Sequence, residues 1–265
     1  MNFIKTDDTT IINKYRKELY QQFSTAIDGM WEVVYIASSQ AYLIKNKNQN
    51  IGYCCINIEG SLTQVFLCEG HNYLMDKVIQ SLIESKLISS AKLSSIDPIS
   101  FNTCLAYSKS VDVNTYCFQY SNQQKVDQEL LKMALVSQEE INTIQKFFKD
   151  QVAFDDNFGY TENLVQRKEL YVFKDSNQII ATGECRLSDS QVEFADIGVI
   201  VNRDFQKKGL GTKVLRCMTQ KAQEANRQPI CSTTFDNIAS KRAIEKAGFF
   251  CSHIIFDINF FDLKN

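Results

Sequence analysis

The stretch Val199-Ile200-Val201-Asn202-Arg203-Asp204-Phe205-Gln206-Lys207-Lys208-Gly209-Leu210-Gly211-Thr212 decides how the rest of the chain is read. An apolar run ends, a short polar loop follows, and two glycines open a segment whose apolar residues, Leu210, Val214, Cys217, Met218 and Ala222, recur at helical spacing. This is a strand, a loop and a helix start. Glycine carries no Cβ, so backbone there can approach a ligand closely. The first turn of a helix has unpaired N–H groups at the positive end of the helix dipole, which together can seat a diphosphate. Lys207 and Lys208 add positive charge beside it. The segment is not a P-loop, because G-x-x-x-x-G-K-[ST] is absent. It is not the dinucleotide fingerprint either, because Val214 stands where the third glycine belongs.

Working outward, a second informative segment follows: Asn237-Ile238-Ala239-Ser240, then Ala243, then Lys246-Ala247-Gly248-Phe249. Asn237 suits a helix N-cap, Ser240 lies one turn in, and Gly248 suits the left-handed position that ends a helix. The motif Gln206-x-x-Gly209-x-Gly211 after a strand ending Val199-x-Val201 resembles motif A of the GCN5-related N-acetyltransferase (GNAT) superfamily. The Asn237–Phe249 segment is similar to its motif B. The resemblance covers roughly residues 130–260. It implies that Gln206 and the amides of Lys207, Lys208, Gly209, Leu210, Gly211 and Thr212 hold the pyrophosphate of coenzyme A. It implies that Val199, Ile200 and Val201 pair through backbone with the pantetheine arm, and that Asn237 and Ser240 line it.

The implied activity is transfer of an acetyl group from acetyl-CoA to a primary amine of a small molecule or protein. The alternative is a non-catalytic acyl-CoA-binding module that contacts a partner through its N-terminal half. Transfer needs a neutral amine, a stabilised thioester oxygen and an outlet for the thiolate's charge. Asp196 and Glu193 are the candidate bases, with Glu184 as a third. Alternation along a strand lets only one of Asp196 and Glu193 face a cleft. Asp196, amid apolar neighbours, is the favoured one. Many members of the resembled family protonate the thiolate with a tyrosine four residues before the motif B glycine; here that position is Ile244.

The expected fold class is α/β (α+β), with two GNAT-like halves, each a mixed and mainly antiparallel sheet flanked by helices. Residues 1–124 form the expected degenerate half and 125–265 the acetyltransferase domain, divided at the polar stretch Ser121–Gln128. In the first half, Thr10–Phe23, Tyr73–Leu87 and Ile99–Ser108 read as helices. Ala41–Ile44, Ile51–Ile58, Leu62–Cys68, Ala91–Ile96 and Val113–Tyr120 read as strands. In the second, Leu130–Val136, Leu170–Lys174, Gln178–Leu187, Val192–Val201, Pro229–Phe235 and Cys251–Phe260 read as strands. Gln138–Lys149, Gly209–Ala225 and Ile238–Ala247 read as helices, and Lys149–Asn157 as a loop. Ile96-Asp97-Pro98-Ile99 resembles Phe235-Asp236-Asn237-Ile238, which suggests a duplication. The first half's corresponding junction, Cys68-Glu69-Gly70-His71-Asn72-Tyr73, has one glycine, an adjacent acid and no lysine. It is expected to hold no coenzyme A, and to shape a substrate cleft or act as scaffold.

Composition narrows the remaining classes. With 265 residues, 44% of them hydrophobic, and 29 basic against 31 acidic side chains, the chain can bury large cores. It carries no basic field for nucleic acid or an anionic membrane. Its start, MNFIKTDDTT, lacks the apolar core of a secretory signal, and no run of about 18 apolar residues exists, so a cytoplasmic protein is expected. The nine cysteines are scattered, without C-x-x-C, and the two histidines, His71 and His253, lie far apart. Reduced, partly buried thiols and no metal site are expected.

Overall fold

The computed structural model describes residues 1–121, 131–176 and 178–262. Twelve strands and seven α-helices follow in the order β1 (Asn2–Thr6), α1 (Thr9–Tyr20), β2 (Gln40–Asn46), β3 (Gln49–Ile56), β4 (Ser61–Leu67), α2 (Met75–Glu84), β5 (Ser90–Ser94), α3 (Pro98–Ala106), β6 (Ser108–Tyr120), β7 (Ala134–Leu135), α4 (Ile141–Val152), α5 (Tyr160–Gln166), β8 (Leu170–Asp175), β9 (Gln178–Leu187), β10 (Phe194–Val201), α6 (Leu210–Glu224), β11 (Gln228–Thr234), α7 (Ile238–Lys246) and β12 (Phe249–Phe260). The mixed, helix-flanked sheet architecture is the one expected.

Two compact units divide the chain, and they are not contiguous. One comprises Met1–Cys117 with Ser252–Asn265, the other Phe118–Cys251. β6 and β12 therefore each begin in one unit and end in the other. Much of Ser121–Gln128, where a boundary is expected, lies outside the described residues, as does Leu130 of the expected strand Leu130–Val136. Of that strand only Ala134–Leu135 pairs, with Val172 and Tyr171.

In the first unit, β1 to β4 form an antiparallel meander. β5 then joins β4 in parallel at Ser61 and Leu62 alone. The chain's last strand closes this sheet, with Ile255–Asn259 of β12 antiparallel to Ser94–Ser90. One face packs Val78, Ile79 and Leu82 of α2 against Ile44, Leu62 and Ala91. The other packs Ile12, Tyr15 and Leu19 of α1 with Trp31 and Ile36 against Tyr53, Phe66 and Ile255.

In the second unit, β7, β8, β9 and β10 form an antiparallel meander, and β11 joins β10 in parallel. α6 packs on the β9–β10 face through Val214 and Met218. Gly183 makes that approach possible, because a Cβ there would lie 2.8 Å from Met218 Sδ. α4 and α5 cover the opposite face, with Ile144, Phe148 and Leu164 on Leu170 and Val172.

Three elements escape the hydrophobic pattern. β1 is a short, half-exposed edge strand without alternation. Trp31–Ile36, rich in β-branched residues, is a wide π-helical turn. The Asp28 carboxylate accepts from the Trp31 N–H at 2.8 Å, and Trp31 stacks on Tyr35 at 4.3 Å. α5 is only seven residues long, and the Asp156 carboxylate caps it at the N–H groups of Tyr160 and Thr161.

Among the described residues, no helix is long and apolar enough to cross a membrane. Of the nine cysteines, Cys251 alone is exposed.

His253 in the first unit is 7% exposed, and burial pushes its pKa down to about 4 from 6.5. The folded state thus resists a proton that the unfolded chain accepts. Stability from this site is complete above pH 6.5 and is lost as pH falls from 6.5 towards 4, by up to about 3 kcal/mol. Urea midpoints measured from pH 7 to pH 4.5 should fall more steeply for the native chain than for a His253→Gln variant.

Candidate functional site

The site is built where β10 leaves its parallel neighbour. The β10–β11 ladder pairs Phe194, Ala195 and Asp196 with Gln228, Pro229 and Ile230, and stops there. β10 continues to Val201 paired with β9 alone. Asn202 N–H bonds Ile180 C=O, so the even-numbered residues face β9. The N–H and C=O groups of Val199 and Val201 therefore point to the side β11 has left. Val199, Ile200 and Val201 are all partly exposed there. In the first unit, β4 and β5 part in the same way, yet Val65, Phe66 and Leu67 are fully buried. The same strand divergence is open in one unit and closed in the other.

The loop after β10 is held by its own side chains. Asn202 caps a single 3-10 turn, Arg203–Phe205, at the Asp204 N–H, and also donates to Ile179 C=O. Gln206 donates to Val201 C=O at 3.2 Å, which ties the motif's first residue to the strand end. Lys207 (φ 62°) and Gly209 (φ 76°) are both left-handed. Left-handed residues in such turns aim successive backbone amides into one concavity. α6 starts at once, and no side chain caps it. A Cβ on Gly209 would meet nothing within 4 Å, so space lies open above this turn. Lys208 stands with its ammonium 5.0 Å from the Phe205 ring centroid, while Lys207 is exposed.

α7 buttresses this helix start. A Cβ on Gly211 would lie 3.6 Å from Ala243 Cβ and 4.0 Å from Val201 Cγ2. Thr212 Oγ1 donates to Ala243 C=O, and Arg216 to Lys246 C=O. Asn237 caps α7, its Oδ1 accepting from Ser240 N–H at 3.1 Å. Gly248 is left-handed (φ 103°), as a helix-ending glycine should be. Ile244 is 2% exposed, a core residue. Asp97 caps α3 at Ser100 N–H just as Asn237 caps α7, each three residues after its strand ends. The structural counterpart of Asp97 is thus Asn237, one residue beyond the Asp236 that sequence similarity aligned with it.

The carboxylates expected as bases lie in different surroundings. Glu193 lies in the turn before β10, outside the strand, and is exposed. Asp196 and Glu184 are buried and converge on one guanidinium. Arg186 meets Asp196 Oδ1 at 3.0 Å, forms a close ion pair with Glu184, and donates to the Tyr160 hydroxyl at 2.8 Å. Tyr160 in turn donates to Glu184 at 2.6 Å. Burial drives the Tyr160 phenol upward, so it stays protonated. Against its own burial, Arg186 is held charged by Asp196 first, with Tyr160 and Glu184 adding to it. Gly198 opposite leaves room for this, since a Cβ would stand 3.3 Å from Glu184 Oε2. Arg186 and Tyr160 were not singled out from sequence. The Glu184-x-Arg186 spacing, which sets both on one face of a strand, was the available signal for the first; Tyr160 had none.

Comparisons with known proteins agree with this architecture. Two family profiles, each described as an acetyltransferase (GNAT) domain, match residues 8–121 and 106–250. An acetyltransferase from the GNAT family of Colwellia psychrerythraea superposes with a TM-score of 0.95 at 24% identity, covering 98% of this chain and 100% of that one. A GCN5-related N-acetyltransferase from Sphaerobacter thermophilus gives 0.66 at 12% identity, over 99% and 97% of the two chains. A tandem GNAT protein from the clavulanic acid biosynthesis pathway gives 0.63 at 9% identity, over 97% and 98%. No protein of curated function matches the sequence.

Removing the guanidinium would leave two buried carboxylates without a counter-charge. Arg186→Met should cost about 3–5 kcal/mol, read as a large drop in thermal midpoint. Restoring one neutral partner, as in Arg186→Met with Glu184→Gln, should recover part of it.

Proposed function

This chain belongs to the GNAT acetyltransferase family, in a two-module form, and from that premise we propose that its second unit moves an acetyl group from acetyl-CoA to a primary amine of a small molecule or protein. One observation carries the reading: an unpaired strand edge and an uncapped helix start meet at the end of β10, beneath open space over Gly209. The residues fit the cofactor. The amides of Lys207, Lys208, Gly209, Leu210, Gly211 and Thr212 would hold its pyrophosphate, with Lys207 adding charge. The backbone of Val199–Val201 would pair with its extended arm, and the Asn237 side-chain amide and Ser240 hydroxyl would line the same path. Gln206 would act by fixing the loop to Val201. Acetyl-CoA supplies the activated thioester.

The Val199 N–H, turned away from β9, is the donor we assign to the thioester oxygen. Asp196 and Glu184 we assign to charge balance, since a proton on either would deprive buried Arg186 of a partner. Glu193 is solvated and off the strand. The incoming amine then loses its proton to water, and with Ile244 in the core the thiolate leaves without a tyrosine acid from α7. In the first unit the buried Val65–Leu67 and the exposed Glu69 beside Gly70 support a unit that holds no coenzyme A.

Gly209→Glu should lower coenzyme A affinity by at least about 100-fold, through backbone strain at φ 76° and charge repulsion. Calorimetry giving native affinity in a folded variant would displace the seat. With water as proton acceptor, kcat/KM should rise with pH along the titration of the amine itself, so that amines of different basicity give different midpoints. Asp196→Asn, where it folds, should keep kcat within about threefold at saturating substrate. A loss beyond tenfold with stability intact would return Asp196 to the role of base.

A further inference from the structure

Between α4 and α5 the chain makes a short loop bracketed by two left-handed residues, Ala153 (φ 56°) and Gly159 (φ 81°). Three aromatic rings gather on it. Phe154 meets Tyr160 edge-on at 5.5 Å and Phe158 at 6.0 Å, and Phe158 meets Tyr160 at 6.2 Å. Phe148 of α4 extends the row, edge-on to Phe154 at 6.2 Å. Burial explains Phe148 and most of Phe154. It does not explain Phe158, which keeps 63% of its surface in solvent while its neighbours pack.

The loop is tied to the candidate site. Gln151, at the end of α4, accepts from the Arg203 N–H with its side chain and from Arg203 Nε with its carbonyl. Arg203 lies two residues past β10, and Ile200 of β10 packs into the same apolar cluster as Phe154 and Tyr160. The rings therefore stand beside the free end of β10, on the face opposite α6. The parting of β10 from β11 joins these two faces.

The charges on the elements around the rings are mostly matched. Arg186 is matched by Glu184 and Asp196 and Lys149 pairs with Asp155, while exposed Arg203 donates to the neutral Gln151 carbonyl and keeps its charge. Asp156 spends its carboxylate on two backbone N–H groups.

We propose that the acceptor is a small primary amine carried on an aromatic or aliphatic group, its apolar part lying against Phe154 and Phe158. This rests on the acetyl-transfer reading and narrows it to one substrate class. An apolar amine desolvates against the rings, whose faces accept its ammonium.

Phenethylamine, glucosamine and a lysine-bearing peptide serve as probes, in acetylation assays and in calorimetry on protein saturated with coenzyme A. Phenethylamine should exceed glucosamine in kcat/KM by at least about tenfold. Phe158→Ala should raise its KM about tenfold, change kcat by less than about twofold, and leave coenzyme A affinity as it was. Preference for glucosamine or the peptide, or an unchanged KM in Phe158→Ala, overturns the proposal. If coenzyme A binds but no amine is acetylated, the transfer reading fails, and calorimetry still decides the acceptor. Phenethylamine binding that Phe158→Ala weakens supports it, and absence of such binding overturns it.

Discussion

A parallel strand pair that stops early is the constraint on which the second unit turns. β10 and β11 share three residue pairs and then part. A strand left unpaired on one side must satisfy its backbone groups by other means. Gln206 takes one of them, the Val201 carbonyl. The remaining edge, with the uncapped start of α6 next to it, makes an arrangement suited to an extended polar arm that ends in a diphosphate. The first unit starts from the same divergence but fills it. Gln64 accepts from Tyr53 at 2.5 Å and from Arg16, Thr63 bonds Cys55 C=O and Ser39, and Val65–Leu67 are covered. One framework thus yields an open edge in one unit and a closed one in the other.

The buried Arg186 cluster is the second unit's other fixed point. A guanidinium held by two carboxylates and a phenol is rigid and costly to disturb. It pins β9 to β10 just before the strands part and joins α5 to the sheet through Tyr160. Asp196, read alone as an acid in apolar surroundings, asks for a catalytic explanation. Arg186, two residues past Glu184 on the neighbouring strand, supplies a structural one.

Much of the fold was legible because it rests on local periodicity. The apolar spacing of α1, α2, α4 and α6 and the turn-bounded apolar runs of β3, β4 and β9 gave boundaries close to those observed, often within two residues. The elements that were not legible depend on partners distant in sequence or on caps. Trp31–Ile36 has strand-like letters but winds as a helix, with Asp28 accepting at its start and Trp31 buried. α5 is too short to show a period. Cys251–Phe260 reads as the end of the second half, yet part of it pairs with β5 in the first unit, because pairing between residues as distant as Ile255 and Ser94 leaves no local trace.

The sequence by itself determined the family and the absence of a tyrosine at position 244. Each of these is written in residues a few positions apart: Gln206, Gly209 and Gly211, then Asn237 and Gly248. Tertiary structure alone decided which strand edge stays open, where Asp196 points its charge, and which rings stand beside the end of β10. Those outcomes depend on packing between segments such as Glu184, Asp196 and Tyr160, whose separation in the chain hides an adjacency that only burial and electrostatics enforce.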